Sequence, residues 1–294
     1  MTFSEPDNPL SPSEMQTPES GGTGAPEIHP AGPPPQNENV PEDIHVPWGG
    51  GELLLLLGFA IGSLFFLEII LELFLLAHYH MNREQLLNLL KTNAGVAVGF
   101  QAFWSGIIFL FLFLMIRQYN HSPFWSSLRW RALHPRNRPP GLVYFSCILG
   151  GVALAITVGI ASHFAGEKSN LPIEQLFRTR ADVIWLMVFG ICVAPFFEET
   201  IFRGYLYPVF ARKWGIPAGI FITGLLFGLM HAVQLWGGWV QIALLVLVGI
   251  ILTAARARTG SVLASYLIHV SYNSFLFMWL LIGTHGLKNI PHVH

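Results

Sequence analysis

Two adjacent glutamates and an arginine, Glu198, Glu199 and Arg203, lie inside an apolar stretch that reads Pro-Phe-Phe-Glu-Glu-Thr-Ile-Phe-Arg. Ionisable groups are costly in the interior of a bilayer and usually have a function when they occur there. On a helix Glu199 and Arg203 are four residues apart and can form an ion pair on one face. Glu198 then points about 100° away from that pair. The two carboxylates can therefore have different roles. Glu199 stays ionised beside the arginine, and Glu198 is a candidate base near neutral pH.

Two further pairs of residues with the same four-residue spacing follow on later apolar segments. The first is Phe227 and His231, and the second is His269 and Asn273. Together with the glutamates, these groups offer a base for water, a proton donor and hydrogen-bond donors for an oxyanion. Those are the parts required to hydrolyse an amide without a covalent intermediate. The sequence shows no nucleophile motif such as Gly-x-Ser-x-Gly.

The helices that position these residues have to cross a membrane, because the chain as a whole is strongly apolar. Hydrophobic residues make up 52% of it and charged residues 11%, against about 25% charged residues in soluble domains. With 16 basic and 17 acidic residues, the composition gives no case for nucleic acid as a partner. We therefore predict an all-α fold, a polytopic transmembrane helix bundle of about seven or eight helices in contact with membrane lipid.

Seven segments are near the roughly 20 residues that a membrane-spanning helix requires. They are residues 52–78, 94–116, 141–164, 181–212, 216–235, 236–255 and 261–283. Proline in a helix removes a hydrogen bond and clashes with the preceding turn, so we expect the fourth segment to kink or restart at Pro195. If its embedded part shifts to about residues 192–212, Glu198 reaches the depth of the two histidines.

The first 50 residues differ in composition from the rest of the chain. They hold 11 of the 20 prolines and no Lys or Arg. Such a segment cannot bury enough apolar surface to offset its loss of conformational entropy. We predict a disordered Pro-rich tail over residues 1–50 and a transmembrane helical domain over residues 51–294, with the motif-bearing core at residues 181–283.

The three motifs together resemble those of the CPBP family of intramembrane endopeptidases, also called the Abi family, which includes CAAX prenyl proteases and bacteriocin-processing enzymes. The resemblance covers about residues 181–283 and keeps the order of the motifs. It implies a bundle of about eight helices with a site inside the membrane. The roles that it implies are water activation by Glu198 and His231, an oxyanion hole made by His269 and Asn273, and orientation of the site by Glu199 and Arg203.

The resulting expectation is an intramembrane protease of the glutamate type, without a cofactor, in the inner membrane of a bacterium, acting on a peptide or a membrane protein. One alternative is a zinc-dependent protease, since Glu198, His231 and His269 could hold the metal with a position open for water. Another is a non-catalytic scaffold or bacteriocin-immunity protein of the same family. A third is a proton-coupled transporter that uses Glu68, Glu72 and Glu198 as a relay.

Overall fold

A computed structural model describes residue 1 and residues 41–133, 139–164, 172–285 and 287 of this chain. Within these residues all the regular structure is helical, which confirms the predicted all-α bundle. Six of the described helices are long and apolar enough to cross a membrane. The protein is therefore a multi-pass integral membrane protein.

Besides two short 3-10 helices, Glu42–Ile44 and Pro172–Leu176, the described residues form nine α-helices, most of them long and apolar. In chain order they are α1 (Gly50–Tyr79), α2 (Arg83–Thr92), α3 (Ala94–Tyr119), α4 (Phe124–Ser127), α5 (Pro140–Phe164), α6 (Arg180–Trp214), α7 (Ile216–Met230), α8 (Trp239–Thr259) and α9 (Val262–Gly283). Helix α6 contacts α3 near its beginning, α9 along its middle and α7 near its end. Helix α7 also packs along α8, and α5 packs along α9. The middle of α6, which carries the glutamates, is thus enclosed by other helices.

Local sequence signals set the ends of the helices that carry the motifs. Thr179 caps α6 by accepting a bond at Oγ1 from the backbone N–H of Asp182, 3.1 Å away. Ser261 caps α9 in the same way, accepting from the N–H of Leu263 at 3.2 Å. Such caps satisfy backbone donors that the first helical turn leaves unpaired. Gly260, with a φ of 64°, makes the turn from α8 to α9, where a left-handed conformation favours glycine.

We expected a kink or a restart at Pro195, and helix α6 does not restart there. Its 35 residues run from Arg180 to Trp214, and at about 1.5 Å per residue that is about 52 Å, longer than the hydrocarbon core. Two π-helical segments interrupt the α-helical pattern, Phe189–Val193 and Thr200–Leu206. Pro195 lies two residues after the end of the first of them. The change of hydrogen-bond register allows the helix to continue through the proline.

The predicted fifth span, residues 216–235, is too long. Helix α7 ends at Met230 after 15 residues, about 22 Å, and is shorter than the roughly 30 Å core. Turns follow, and they include Gly237 with a φ of 91°. Helix α8 then begins at Trp239, three residues later than the predicted sixth span.

The described residues from 41 onward, some of which the sequence assigned to the tail, belong to one compact unit. Most of the predicted tail, residues 2–40, lies outside the described residues. In the described part Ile44, Val46 and Trp48 are buried. The indole N–H of Trp48 donates to the backbone carbonyl of Tyr205 in α6 at 3.1 Å. Residues 41–49 therefore pack against the bundle, and we call them the N-terminal strap.

Candidate active site

The predicted ion pair between Glu199 and Arg203 is present in the middle of α6. The carboxylate Oε1 of Glu199 accepts a hydrogen bond from Nη1 of Arg203 at 2.8 Å, and neither side chain is exposed. Oε2 of Glu199 has no hydrogen-bond partner among the described residues. The pair is thus fully removed from solvent, where an ion pair needs good geometry and further hydrogen bonds to be tolerated.

Arg203 obtains those further bonds from helix α8. Its Nη2 donates to the backbone carbonyl of Gly249 at 3.0 Å, and its Nε donates to Oγ1 of Thr253 at 3.3 Å. The guanidinium also lies 4.4 Å from the ring centre of Phe227 in α7, a favourable cation–π distance. One side chain of α6 therefore ties together α6, α7 and α8.

His269 in α9 lies between the two glutamates. Its Nδ1 is 3.0 Å from Oε1 of Glu199, and its Nε2 is 3.7 Å from Oε2 of Glu198. An ionised carboxylate only accepts hydrogen bonds, so Nδ1 carries the hydrogen that Glu199 receives. The longer separation at Nε2 is one that a bridging water can span. The side chain of Glu198 is 18% exposed and that of Glu199 is 0% exposed, so Glu198 is the more accessible of the two carboxylates.

His231 lies close to this cluster without joining its ion pairs. It follows the last residue of α7, and its Nδ1 is 2.9 Å from the carbonyl oxygen of Phe227. Because a carbonyl oxygen only accepts, Nδ1 is the donor, and in the neutral ring Nε2 is left as the basic nitrogen. The ring of Phe227 contacts both imidazoles, at centroid distances of 5.1 Å to His231 and 5.7 Å to His269. Phe227 is thus a shared neighbour of the two histidines.

Asn273, one turn after His269 on α9, contacts the π-helical segment of α6. Its Nδ2 donates to the backbone carbonyl of Gly190 at 2.6 Å. His269 contacts Glu198 and Glu199, whereas Asn273, later in α9, contacts Gly190, which is earlier in α6. Helices α9 and α6 are therefore antiparallel here.

Close contacts at glycines hold the helices in this arrangement. A Cβ added to Gly224 of α7 would lie 2.6 Å from the backbone nitrogen of Ile250 in α8, so the two helices approach more closely than a larger residue would allow. This contact brings the carbonyl of Gly249 within reach of Arg203. On the other side, a Cβ on Gly151 of α5 would lie 2.7 Å from Cβ of Ser271, which fixes the position of α9 between His269 and Asn273.

Three polar groups of the site were not predicted from the sequence: the hydroxyl of Thr253 and the carbonyls of Gly249 and Gly190. The only sequence signal for Thr253 is a polar residue in an apolar helix, four residues after a glycine, a pattern common where such helices pack. The two backbone carbonyls could not be predicted, because every residue has one and the residue type does not show which of them takes part. The carboxylates of Glu68 and Glu72 lie in α1, which contacts α2 and α3, and Glu72 is 3.8 Å from Arg83.

Among the residues that the structure describes, no three His, Cys, Asp or Glu side chains are grouped in a way that could hold a metal ion. The zinc ligands considered above are Glu198, His231 and His269. The structure brings Glu198 and His269 together, whereas the hydrogen bond of His231 goes to the carbonyl of Phe227. Chelation, included in the experiment below, tests the zinc alternative directly.

Comparison with known proteins places the motifs in a described family. Residues 180–275 match the family described as type II CAAX prenyl endopeptidase Rce1-like, which confirms the resemblance for that segment. The chain is also 34% identical over 130 residues to an uncharacterized 24.3 kDa protein of Escherichia coli, covering 42% of this chain and 58% of that protein. It is 26% identical over 146 residues to the UPF0177 protein YbdI of Lactococcus lactis, covering 48% of this chain and 75% of that protein. The chain thus spans less than two thirds of the E. coli relative. No solved structure matches the chain at a significant level.

Proposed function

We propose that the protein is an intramembrane endopeptidase of the glutamate type, which hydrolyses a peptide bond with a water molecule activated by Glu198 and His231. The observation that carries the proposal is the imidazole of His269 between two carboxylates of different exposure, inside helices apolar enough to span a membrane. The family match over residues 180–275 contains all three motifs and supports a protease.

The two carboxylates have separate roles in this proposal. Glu199 is unexposed and holds both Arg203 and His269, so it orients the site. Glu198 is partly exposed and has only the longer contact to His269. It is therefore the carboxylate that a water molecule can reach, and the side chain best placed to act as the base.

The reaction begins when the oxygen of a water molecule attacks the carbonyl carbon of the scissile bond, while one proton of the water passes to Glu198. The carbonyl oxygen becomes an oxyanion, which hydrogen-bond donors in a dry site stabilise strongly. Collapse of the tetrahedral intermediate breaks the C–N bond, and the leaving nitrogen receives the proton held by Glu198. His231 assists through Nε2, which can accept a hydrogen bond from the attacking water.

Asn273 and His269 supply the oxyanion donors. Asn273 has two amide hydrogens, of which the contact to Gly190 uses one. His269 uses the hydrogen on Nδ1 for Glu199, so it can donate to an oxyanion only from Nε2 of the doubly protonated ring. The adjacent carboxylates of Glu198 and Glu199 offset the positive charge of that form.

The substrate is a peptide or a membrane protein, since the glutamates lie within a helix that only bilayer-embedded or partly embedded chains can approach. Both relatives come from bacteria, which supports placement in the inner membrane. The non-catalytic alternative, a scaffold or immunity protein, keeps the same fold and differs in having no cleavage activity.

The decisive experiment is cleavage of a peptide library by the purified protein in detergent. We expect Glu198→Gln to abolish cleavage and His231→Ala to reduce kcat by at least about a hundredfold, the range of a lost general base. Glu68→Gln changes a carboxylate of α1, a helix that packs on α2 and α3 and carries none of the three motifs; it serves as the matched control and retains activity.

A chelator separates the metal-independent reaction from the zinc alternative. We expect no loss of activity with the chelator, whereas a loss that zinc restores would establish the zinc-dependent protease. If Glu198→Gln cleaves as well as the wild type, the proposed mechanism is wrong. If the wild type cleaves nothing, the scaffold is the better interpretation.

A further inference from the structure

Pro195 leaves one backbone carbonyl of α6 without its helical partner. In the π-helical segment the N–H of Ala194 bonds to the carbonyl of Phe189, five residues back. In the same register the next carbonyl, that of Gly190, would receive the N–H of residue 195. Proline has no N–H, so the helix itself provides no donor to Gly190.

The side chain of Asn273 provides that donor. Its Nδ2 lies 2.6 Å from the carbonyl oxygen of Gly190, and because a carbonyl only accepts, this contact determines which end of the amide is the nitrogen. One of the two amide hydrogens is used by Gly190, and the direction of the second is then fixed. Gly190 is half-buried, and a carbonyl removed from water is costly to leave unpaired, so the contact favours a single orientation of the amide.

We propose that Pro195 is a positioning residue for the reaction: by freeing the carbonyl of Gly190 it orients the amide of Asn273, whose second N–H then serves the oxyanion. This inference rests on the proposed function and extends it to a residue whose side chain takes no part in the chemistry. Pro195 is buried in α6, and it acts through a missing hydrogen rather than through a contact.

The same helix contains a matched control. After the second π-helical segment, the N–H of Tyr207 bonds to the carbonyl of Phe202, and the next residue is Pro208. The carbonyl freed in this case belongs to Arg203. Among the hydrogen bonds of the described residues, no side chain donates to that carbonyl. Pro208 therefore repeats the local backbone arrangement of Pro195 without an asparagine.

The test begins with Pro195→Ala, which gives the helix the missing N–H. The helix can then satisfy the carbonyl of Gly190 by itself, and Asn273 loses its fixed orientation. We expect kcat to fall about five- to tenfold, the size of one oriented hydrogen bond, with KM unchanged. The melting temperature stays equal or rises, since alanine is the better residue inside a helix. Pro208→Ala stays within about twofold of the wild-type kcat.

A double variant shows whether Pro195 acts through Asn273. In an Asn273→Ala background, Pro195→Ala should cause no further loss of kcat. An equal further loss would overturn the inference, and so would a loss in Pro208→Ala as large as that in Pro195→Ala.

An NMR measurement keeps the inference separate from the proposed function. The side-chain amide signal of Asn273, identified by its loss in Asn273→Ala, should shift in Pro195→Ala and not in Pro208→Ala. This readout requires no catalytic activity. An unchanged amide signal in Pro195→Ala overturns the inference even if Glu198→Gln proves that the protein is the proposed protease.

Discussion

The buried pair of Glu199 and Arg203 gives the sharpest test of the site's electrostatics. Arg203→Met removes the guanidinium and leaves the carboxylate of Glu199 unexposed, with one remaining donor, Nδ1 of His269. Removing one partner of a buried pair typically destabilises a protein by about 3–5 kcal/mol, because the other charge is left uncompensated. Since both side chains are wholly unexposed and 2.8 Å apart, we expect the full loss. We also expect cleavage to be lost.

The double variant Glu199→Met with Arg203→Met separates stability from activity. It leaves no unpaired charge at this position, and apolar replacement of a buried pair is often neutral in stability. We therefore expect most of the lost free energy of unfolding to return. Cleavage should not return, because His269 no longer has the carboxylate that orients it.

The measurement is the free energy of unfolding from titration of the detergent-solubilised protein with SDS. The control is the pair of Arg83 and Glu72, in which the side chains are 63% and 30% exposed and 3.8 Å apart. Arg83→Met should cost less than about 1 kcal/mol. If Arg203→Met costs no more than Arg83→Met, or if the double variant is as unstable as Arg203→Met, the reasoning from burial is refuted.

Two further predictions concern the groups that hold the site in place. Thr253→Val removes the hydroxyl that accepts a hydrogen bond from Nε of Arg203. We expect kcat to fall about tenfold, and Thr253→Ser, which keeps the hydroxyl, to retain activity. Equal activity of the two variants would argue against a role for the hydroxyl. Gly151→Val places a side chain where the backbone of α9 lies, so we expect it to lower both the melting temperature and kcat. Gly159→Val in the same helix, where an added Cβ meets nothing within 4 Å, is its control, and a similar loss in both variants would contradict the close-contact argument.

The helices and the ion pair could be predicted from the sequence because both depend on short spacings. Apolar length identifies a span, and a separation of four residues places Glu199 and Arg203 on one face. The end of α7 could not be predicted in this way. The apolar run continues past Met230, and only the glycines near residue 237 indicate a turn.

The arrangement of the histidines depends on contacts between helices, which spacing does not reveal. The resemblance implied water activation for His231 and the oxyanion for His269. The structure shows contacts of His269 with both carboxylates and a contact of His231 with Phe227. These contacts result from the close approach of α5 to α9 and of α7 to α8. The implied roles of both histidines stay predictions until the variants are measured.

Pro195 shows what a local rule can and cannot predict. The rule that proline removes a helical hydrogen bond holds; it predicted a kink or a restart, and the restart does not occur. The helix continues because the π-helical register relocates the missing bond to Gly190, and a side chain 83 positions along the chain satisfies it. A donor so distant in the sequence could not be anticipated from the segment around the proline.

In the N-terminal strap, too, distant side chains satisfy backbone carbonyls. Its buried residues alternate as Ile44, Val46 and Trp48. Backbone hydrogen bonds of the short 3-10 helix Glu42–Ile44 satisfy the carbonyls of Pro41 and Glu42, and arginines of the bundle donate to carbonyls farther along. Arg212 donates to the carbonyls of Val46 and Trp48 at 2.7 and 2.6 Å, and Arg256 donates to the carbonyl of Asp43 at 3.1 Å. Composition alone placed this segment in a disordered tail, since a few apolar residues among prolines are a weak signal. The strap packs on the bundle because arginines from distant helices bind its backbone. The sequence around residues 41–49 does not show these contacts.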